Sequence, residues 1–156
     1  MLSKSVKETK KIAKLFLETI LKTKANHKGA TVVGLSGDLG AGKTAFTQAV
    51  AKYLGIKDKV NSPTFVIFKK YALKKRPLLN SPRGLGGGFK FLFHMDAYRL
   101  KNEKELSHLG WEDMIGNKEH IVFIEWPENI KKAMPKGHHK VSIAHTKAGH
   151  RKFKFK

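Results

Sequence analysis

The chain has 156 residues, with 32 Lys and Arg against 12 Asp and Glu, a formal net charge of +20, and 40% hydrophobic residues. That length holds one ordinary domain and excludes a second full one, and the apolar fraction can build a core, so the charge does not signify global disorder. The lack of cysteine excludes a disulfide framework, a thiol nucleophile and thiolate metal sites. No uncharged run reaches the ~20 apolar residues of a bilayer span, and lysines are spread through the N-terminus where a signal peptide has an apolar centre. Together these features predict a cytoplasmic protein without membrane contact.

The chain order of predicted elements begins with Ser5-Val6-Lys7-Glu8, which has capping-box spacing, followed by Ile12, Phe16 and Ile20 interleaved with Ala13, Leu17 and Leu21 at helical intervals. A helix to about Thr23 follows, then a turn over Ala25 to Gly29. The apolar, β-branched run from Ala30 to Ser36 predicts a buried strand, Gly37 to Lys43 a loop, and Thr44 to Leu54 a helix with Gly55 suited to its C-cap. Thr64 to Leu73 is β-rich and Phe89 to Asp96 is a further strand, joined by a flexible loop from Lys74 to Gly88 that carries prolines and Gly84-Leu85-Gly86-Gly87-Gly88. Asn102 to Leu109 predicts a short helix capped by Asn102, Trp111 to Ile115 another turn of helix, and His120 to Trp126 a buried strand after which Pro127 permits a helix start. Val141 to His145 and Arg151 to Lys156 are late strands. Residues 1–156 thus form a single domain that ends in a basic tail.

Lysine supplies 28 of the basic residues and arginine four, a bias away from bidentate phosphate or guanine recognition across the surface. After Glu128 come nine basic residues and no acidic one, which predicts contact between this tail and RNA or an acidic partner.

Gly37-Asp38-Leu39-Gly40-Ala41-Gly42-Lys43-Thr44 places two glycines five apart before Lys and Thr, between a strand and a helix. Glycines let successive backbone N–H groups curl around phosphate oxygens, and the helix that starts there adds the positive end of its dipole. Lys43 is expected to bridge the β- and γ-phosphates and Thr44 to ligate Mg²⁺. Nucleoside triphosphate binding follows from this pattern; hydrolysis, phosphoryl transfer and switching stay open.

Such a site needs a carboxylate near the metal, and two stand directly after apolar runs. Ile121-Val122-Phe123-Ile124 leads into Glu125, and Phe91-Leu92-Phe93-His94-Met95 leads into Asp96. Asn61-Ser62-Pro63-Thr64 lies where many nucleotide-binding proteins place a segment that senses the γ-phosphate. His94 is read as a packed histidine in preference to a catalytic base, and His138-His139 lacks a third ligand, so no histidine-bound metal is expected.

The phosphate-loop block, Ser62-Pro63-Thr64-Phe65, His94-Met95-Asp96-Ala97-Tyr98-Arg99-Leu100 and Ile124-Glu125-Trp126-Pro127-Glu128 resemble, in order and spacing, the TsaE (also called YjeE) family, the ATPase subunit of bacterial tRNA threonylcarbamoyladenosine biosynthesis. The match runs from the first helix to about residue 135. It implies an α/β, P-loop NTPase-like three-layer sandwich with a central mixed, largely parallel sheet. It also implies a Mg²⁺-dependent ATPase that serves threonylcarbamoylation of adenosine 37 in tRNAs reading codons that begin with A. In that role the subunit binds two partner transferase subunits, resets their complex between turnovers through its ATP cycle, meets tRNA through that complex, and does not transfer the group itself. Carried over by position, Gly37, Asp38, Leu39, Gly40, Ala41, Gly42, Lys43 and Thr44 hold ATP. Thr44 and Glu125 ligate Mg²⁺, Lys43, Asp96 and Glu125 serve catalysis, Thr64 belongs to the switch-like segment, and Thr9 and Arg151 lie near the base. The long insert at 74–88 and the Lys-rich ending depart from the family pattern.

Two rivals share the phosphate loop. A small GTPase is suggested by Asp113-Met114-Ile115-Gly116 and Asn117-Lys118, but these are contiguous where a strand and a helix should separate them. A small P-loop kinase acting on a small molecule would need an acceptor pocket and an arginine-bearing lid.

Overall fold

The structure, a computed structural model, describes residues 1–23, 28–73 and 88–156. The turn expected at Ala25–Gly29 and the loop expected at Lys74–Gly88 fall for the most part on other residues and so lie outside the described ones.

A two-residue strand, β1 (Leu2–Ser3), precedes helix α1 (Val6–Thr23). Half of the capping box forms as its spacing predicts, the Glu8 amide donating to Ser5 Oγ at 3.2 Å, whereas Glu8 Oε2 accepts from the amide of Lys4, one residue ahead of the cap, at 2.7 Å. The apolar run that follows becomes β2 (Thr31–Ser36), and α2 (Lys43–Tyr53) starts within the glycine-rich motif. Gly55, with φ 83°, takes the left-handed turn after the helix that a side chain would resist.

Beyond them come β3 (Phe68–Ala72), β4 (Phe91–Asp96), α3 (Trp111–Gly116), β5 (His120–Glu125), β6 (His139–His145) and β7 (Arg151–Phe155). Among the described residues these strands make one mixed sheet ordered β1-β7-β6-β2-β5-β4-β3. Its centre is parallel, with β2 between β5 and β6, and β5 beside β4. The antiparallel pairs β3–β4, β6–β7 and β1–β7 lie outside that centre.

Helices α1 and α2 cover one face, where Phe46 is fully buried with its ring 5.6 Å from both Phe16 and Phe153. The other face is covered by α3 and two 3₁₀ segments, around Met95, Trp111, Ile124 and Ile130. Two apolar layers enclosing a sheet give the three-layer α/β sandwich expected. No helix among the described residues is long and apolar enough to cross a membrane.

Several boundaries differ from expectation. The β-rich run beginning at Thr64 is strand only from Phe68, because Val66 closes a turn onto the Pro63 carbonyl at 2.9 Å and Thr64 turns its hydroxyl to Asp96. The short helix expected after Asn102 is present as a 3₁₀ helix, Glu103–Leu109, and Asn102 caps it as predicted by accepting from the Lys104 amide at 3.0 Å. The segment Pro127–Ile130 is likewise 3₁₀, and β6 begins at His139, two residues earlier than its β-branched run suggests. The basic C-terminal stretch is built into the sheet: Val141, Ile143 and Phe153 point into the core, while Lys140, Lys152, Lys154 and Lys156 are exposed.

Candidate active site

The parallel centre aligns the carboxyl ends of β2, β5 and β4, the edge at which open α/β sheets place ligands. From β2 the chain enters the glycine-rich loop, while Glu125 and Asp96 end β5 and β4 and are direct register partners. The sequence thus delivers the loop and both carboxylates to one sheet edge.

Two glycines are fixed by geometry. Gly37 has φ 149°, and a Cβ there would meet the Ile143 carbonyl oxygen. Gly42, with φ 106°, lets the Arg151 guanidinium pass 3.1 Å from where a Cβ would stand. Asp38, Leu39 and Gly40 form the exposed tip of the loop, and Ala41 is buried beneath it.

Lys43 is 4% exposed, and its Nζ donates to the carbonyls of Gly37 at 2.6 Å and Asp38 at 3.0 Å. The Trp126 ring centroid lies 4.0 Å from the same ammonium. Burial pushes the Lys43 pKa below the ordinary lysine value, while Glu125, Asp96, Glu128 and Asp38 act in the opposite sense. A partly desolvated cation inside a loop of backbone dipoles favours an incoming anion. The first amides of α2, which have no helical acceptor, point the same way.

Thr44 Oγ1 donates to Glu125 Oε1 at 2.7 Å, bringing together the two residues expected to hold a metal. Thr64 donates to Asp96 Oδ2, and Asp96 Oδ1 accepts from the Tyr98 amide at 3.0 Å. Hydroxyl and carboxylate oxygens are hard donors of the kind Mg²⁺ prefers, so this set fits that ion by its chemistry. Two non-glycine residues with left-handed backbone flank the pair, Ile67 (φ 65°) after the Thr64 segment and Trp126 (φ 58°) after Glu125. For β-branched Ile67 this is a strained conformation of the kind that gathers at functional sites.

Thr9 and Arg151 lie on the other side of the loop. Arg151 Nε donates to the Ala41 carbonyl at 3.1 Å, and buried Thr9 shares a 2.8 Å hydrogen bond with Ser3. They line a cleft of about 220 Å³ together with Val6, Gly42, Ala45 and Ala49.

Sequence reasoning missed two contacts. One is Trp126 over Lys43; the other is His94 Nε2, 2.8 Å from Glu125 Oε1. Both join residues far apart in the chain, and the available signal was only their adjacency to Glu125 and Asp96. His138 bonds the Pro135 carbonyl through Nδ1, and His139 sets its ring against Phe16, so the histidine pair is spent on local packing.

Comparison with known proteins gives the family. The family described as "Threonylcarbamoyl adenosine biosynthesis protein TsaE" matches residues 3–153. A Bacillus subtilis protein named tRNA threonylcarbamoyladenosine biosynthesis protein TsaE is 39% identical over 82% of this chain and 66% of its own length. The Rickettsia prowazekii protein of the same name is 37% identical over 81% of this chain and 73% of its own length. The chain therefore spans about two thirds to three quarters of the length of these curated relatives. Among solved structures, Bacillus subtilis YdiB superposes with a TM-score of 0.66 at 30% identity, over 99% of this chain and 82% of the other. The chain belongs to the TsaE family.

Proposed function

We propose that this chain is the ATP-hydrolysing subunit of tRNA threonylcarbamoyladenosine biosynthesis, working in the cytoplasm on a partner transferase of two subunits and not transferring the group itself. The family membership supports the pathway. The observation that carries the ATPase reading is the Thr44–Glu125 hydrogen bond beside buried Lys43, which sets a hydroxyl, a carboxylate and a cation at the mouth of one loop.

Lys43 exchanges its two carbonyl acceptors for phosphate oxygens, and the loop amides from Gly37 to Thr44 cradle the rest of the triphosphate. Thr44 and Glu125 would hold Mg²⁺, which would supply neutralisation of the charge on the triphosphate. Asp96 fixes the Thr64 segment beside the γ-phosphate position, where the segment can register whether that phosphate is present. The cleft between Thr9 and Arg151 is of a size for a single heterocycle, and it receives the adenine.

A nucleotide panel tests this reading against the kinase alternative. Slow hydrolysis of ATP in preference to GTP, with no phosphorylated small-molecule acceptor, is the expected result; stoichiometric transfer to such an acceptor would install the kinase in its place.

Direct contact with tRNA is supported by the outer face of β6 and β7. Ser142 is paired with Lys154, Ala144 with Lys152, and Lys140 exchanges backbone hydrogen bonds with Lys156, so the four lysines share one face. None of them forms an ion pair with a carboxylate among the described residues. A row of unneutralised lysines fits a phosphate backbone, and such binding weakens with salt. Reversing Lys152 and Lys154 to Glu is expected to weaken tRNA binding by the isolated chain about tenfold or more and to flatten its salt dependence. Unchanged tRNA affinity in that variant would assign the charge to composition.

A further inference from the structure

Glu125 divides its two oxygens unequally. Oε1 receives both Thr44 Oγ1 at 2.7 Å and His94 Nε2 at 2.8 Å, whereas Oε2 has no protein donor among the described residues. A carboxylate accepts and does not donate, which assigns the ring hydrogen to Nε2. His94 is 0% exposed, and its Nδ1 finds no partner among the described residues. Buried polar atoms are normally paired on all sides, so a ring kept at the cost of one orphaned nitrogen is retained for what the other one does.

The surroundings sharpen the point. His94 sits on β4 between Leu92 and Asp96 on the same strand face, and its register partner on β5 is Phe123. Leu92 and Phe123 are fully buried apolar residues. An apolar side chain would suit that place better than an imidazole, unless the imidazole is needed by Glu125.

We propose that His94 is the positioning residue for Glu125. Its Nε2–H anchors Oε1 and fixes the plane of the carboxylate, which leaves Oε2 for the metal shell or the attacking water. The inference rests on the ATPase reading above. In that reading the Thr44 hydroxyl leaves Glu125 for the metal, and His94 is then the one protein donor that holds the carboxylate, among the described residues. His94 touches no reacting atom itself: it lies buried beneath Glu125 and acts through it.

The test uses the full chain with His94→Leu, His94→Gln and His94→Asn, and with Glu125→Gln alone and combined with His94→Leu. Leucine keeps the bulk and removes the donor. Glutamine places an amide N–H near the position of Nε2, and asparagine stops short of it. His94→Leu is expected to lower kcat about 10- to 100-fold and raise the Mg²⁺ concentration needed for half-maximal rate, with ATP affinity changed only a few-fold. Glutamine should recover most of the rate and asparagine little, a contrast that also serves if the leucine variant fails to fold. In the Glu125→Gln background, His94→Leu should change neither the Mg²⁺ requirement for ATP binding nor the residual rate. Wild-type kcat and Mg²⁺ requirement in His94→Leu, or equal rates in the Gln and Asn variants, would overturn the inference. Full activity of Glu125→Gln would instead overturn the reading of the site on which it rests, and the inference with it.

Discussion

Glu125→Gln should lose most ATP hydrolysis while nucleotide binding and fold stay nearly intact. Phosphoryl transfer is governed by placed charge, and the substitution conserves size while removing the negative charge that holds the cation. The Thr44 and His94 hydrogen bonds to Oε1 survive, since a glutamine carbonyl oxygen accepts both. The charge and the acceptor at Oε2, which becomes an amide NH2, are therefore removed together, and a fall of about 10²- to 10³-fold in kcat, the range seen when a single preorganised electrostatic group is lost, is the expected size. Asp96→Asn should act differently. Asp96 accepts from Thr64 and from the Tyr98 amide, so its loss loosens the Thr64 segment as well as the field at the γ-phosphate position. Steady-state hydrolysis with calorimetric ATP titration separates the two. Full turnover in Glu125→Gln with total loss in Asp96→Asn would reverse their roles, and full turnover in both would remove the catalytic site altogether.

Lys43→Ala carries the second large effect, and it falls on binding. A charge-assisted hydrogen bond to phosphate is worth about 1.5–3 kcal/mol, so the ATP dissociation constant should rise roughly 10- to 150-fold. Thermal stability without nucleotide should change little, because burial already disfavours this ammonium and its removal relieves that cost. Loss of ATP affinity without loss of melting temperature is the signature expected. Unchanged ATP affinity and unchanged activity would show that phosphates bind elsewhere.

How much of this was legible in the sequence depends on how local each feature is. The phosphate loop was readable because its chemistry needs particular residue types at neighbouring positions: glycine at Gly37 and Gly42 for backbone reasons, then Lys43 and Thr44 where the helix opens. The Ser5 cap of the first helix was readable for the same reason. Asp96 and Glu125 could be nominated from the apolar strands that precede them, but their register alignment depends on β4 lying parallel to β5. The start of β3 was misjudged because Thr64 is held by a hydroxyl contact to Asp96, a tertiary bond that overrides the β-propensity of Phe65, Val66 and Ile67. β1 pairs with β7 from the opposite end of the chain, and two residues carry no periodicity to detect. His94 was read as a packed histidine, and packed it is; that its Nε2 reaches Glu125 is visible only once the strands are side by side.

The most direct test of the central claim is multiple-turnover modification of adenosine 37 in a tRNA that reads codons beginning with A, reconstituted with the two transferase subunits, an activated threonylcarbamoyl donor and ATP. With the wild-type chain, product should accumulate well past one equivalent per transferase. Without the chain, or with Glu125→Gln in its place, it should stop near one equivalent. Equal multiple turnover in all three reactions would contradict the account.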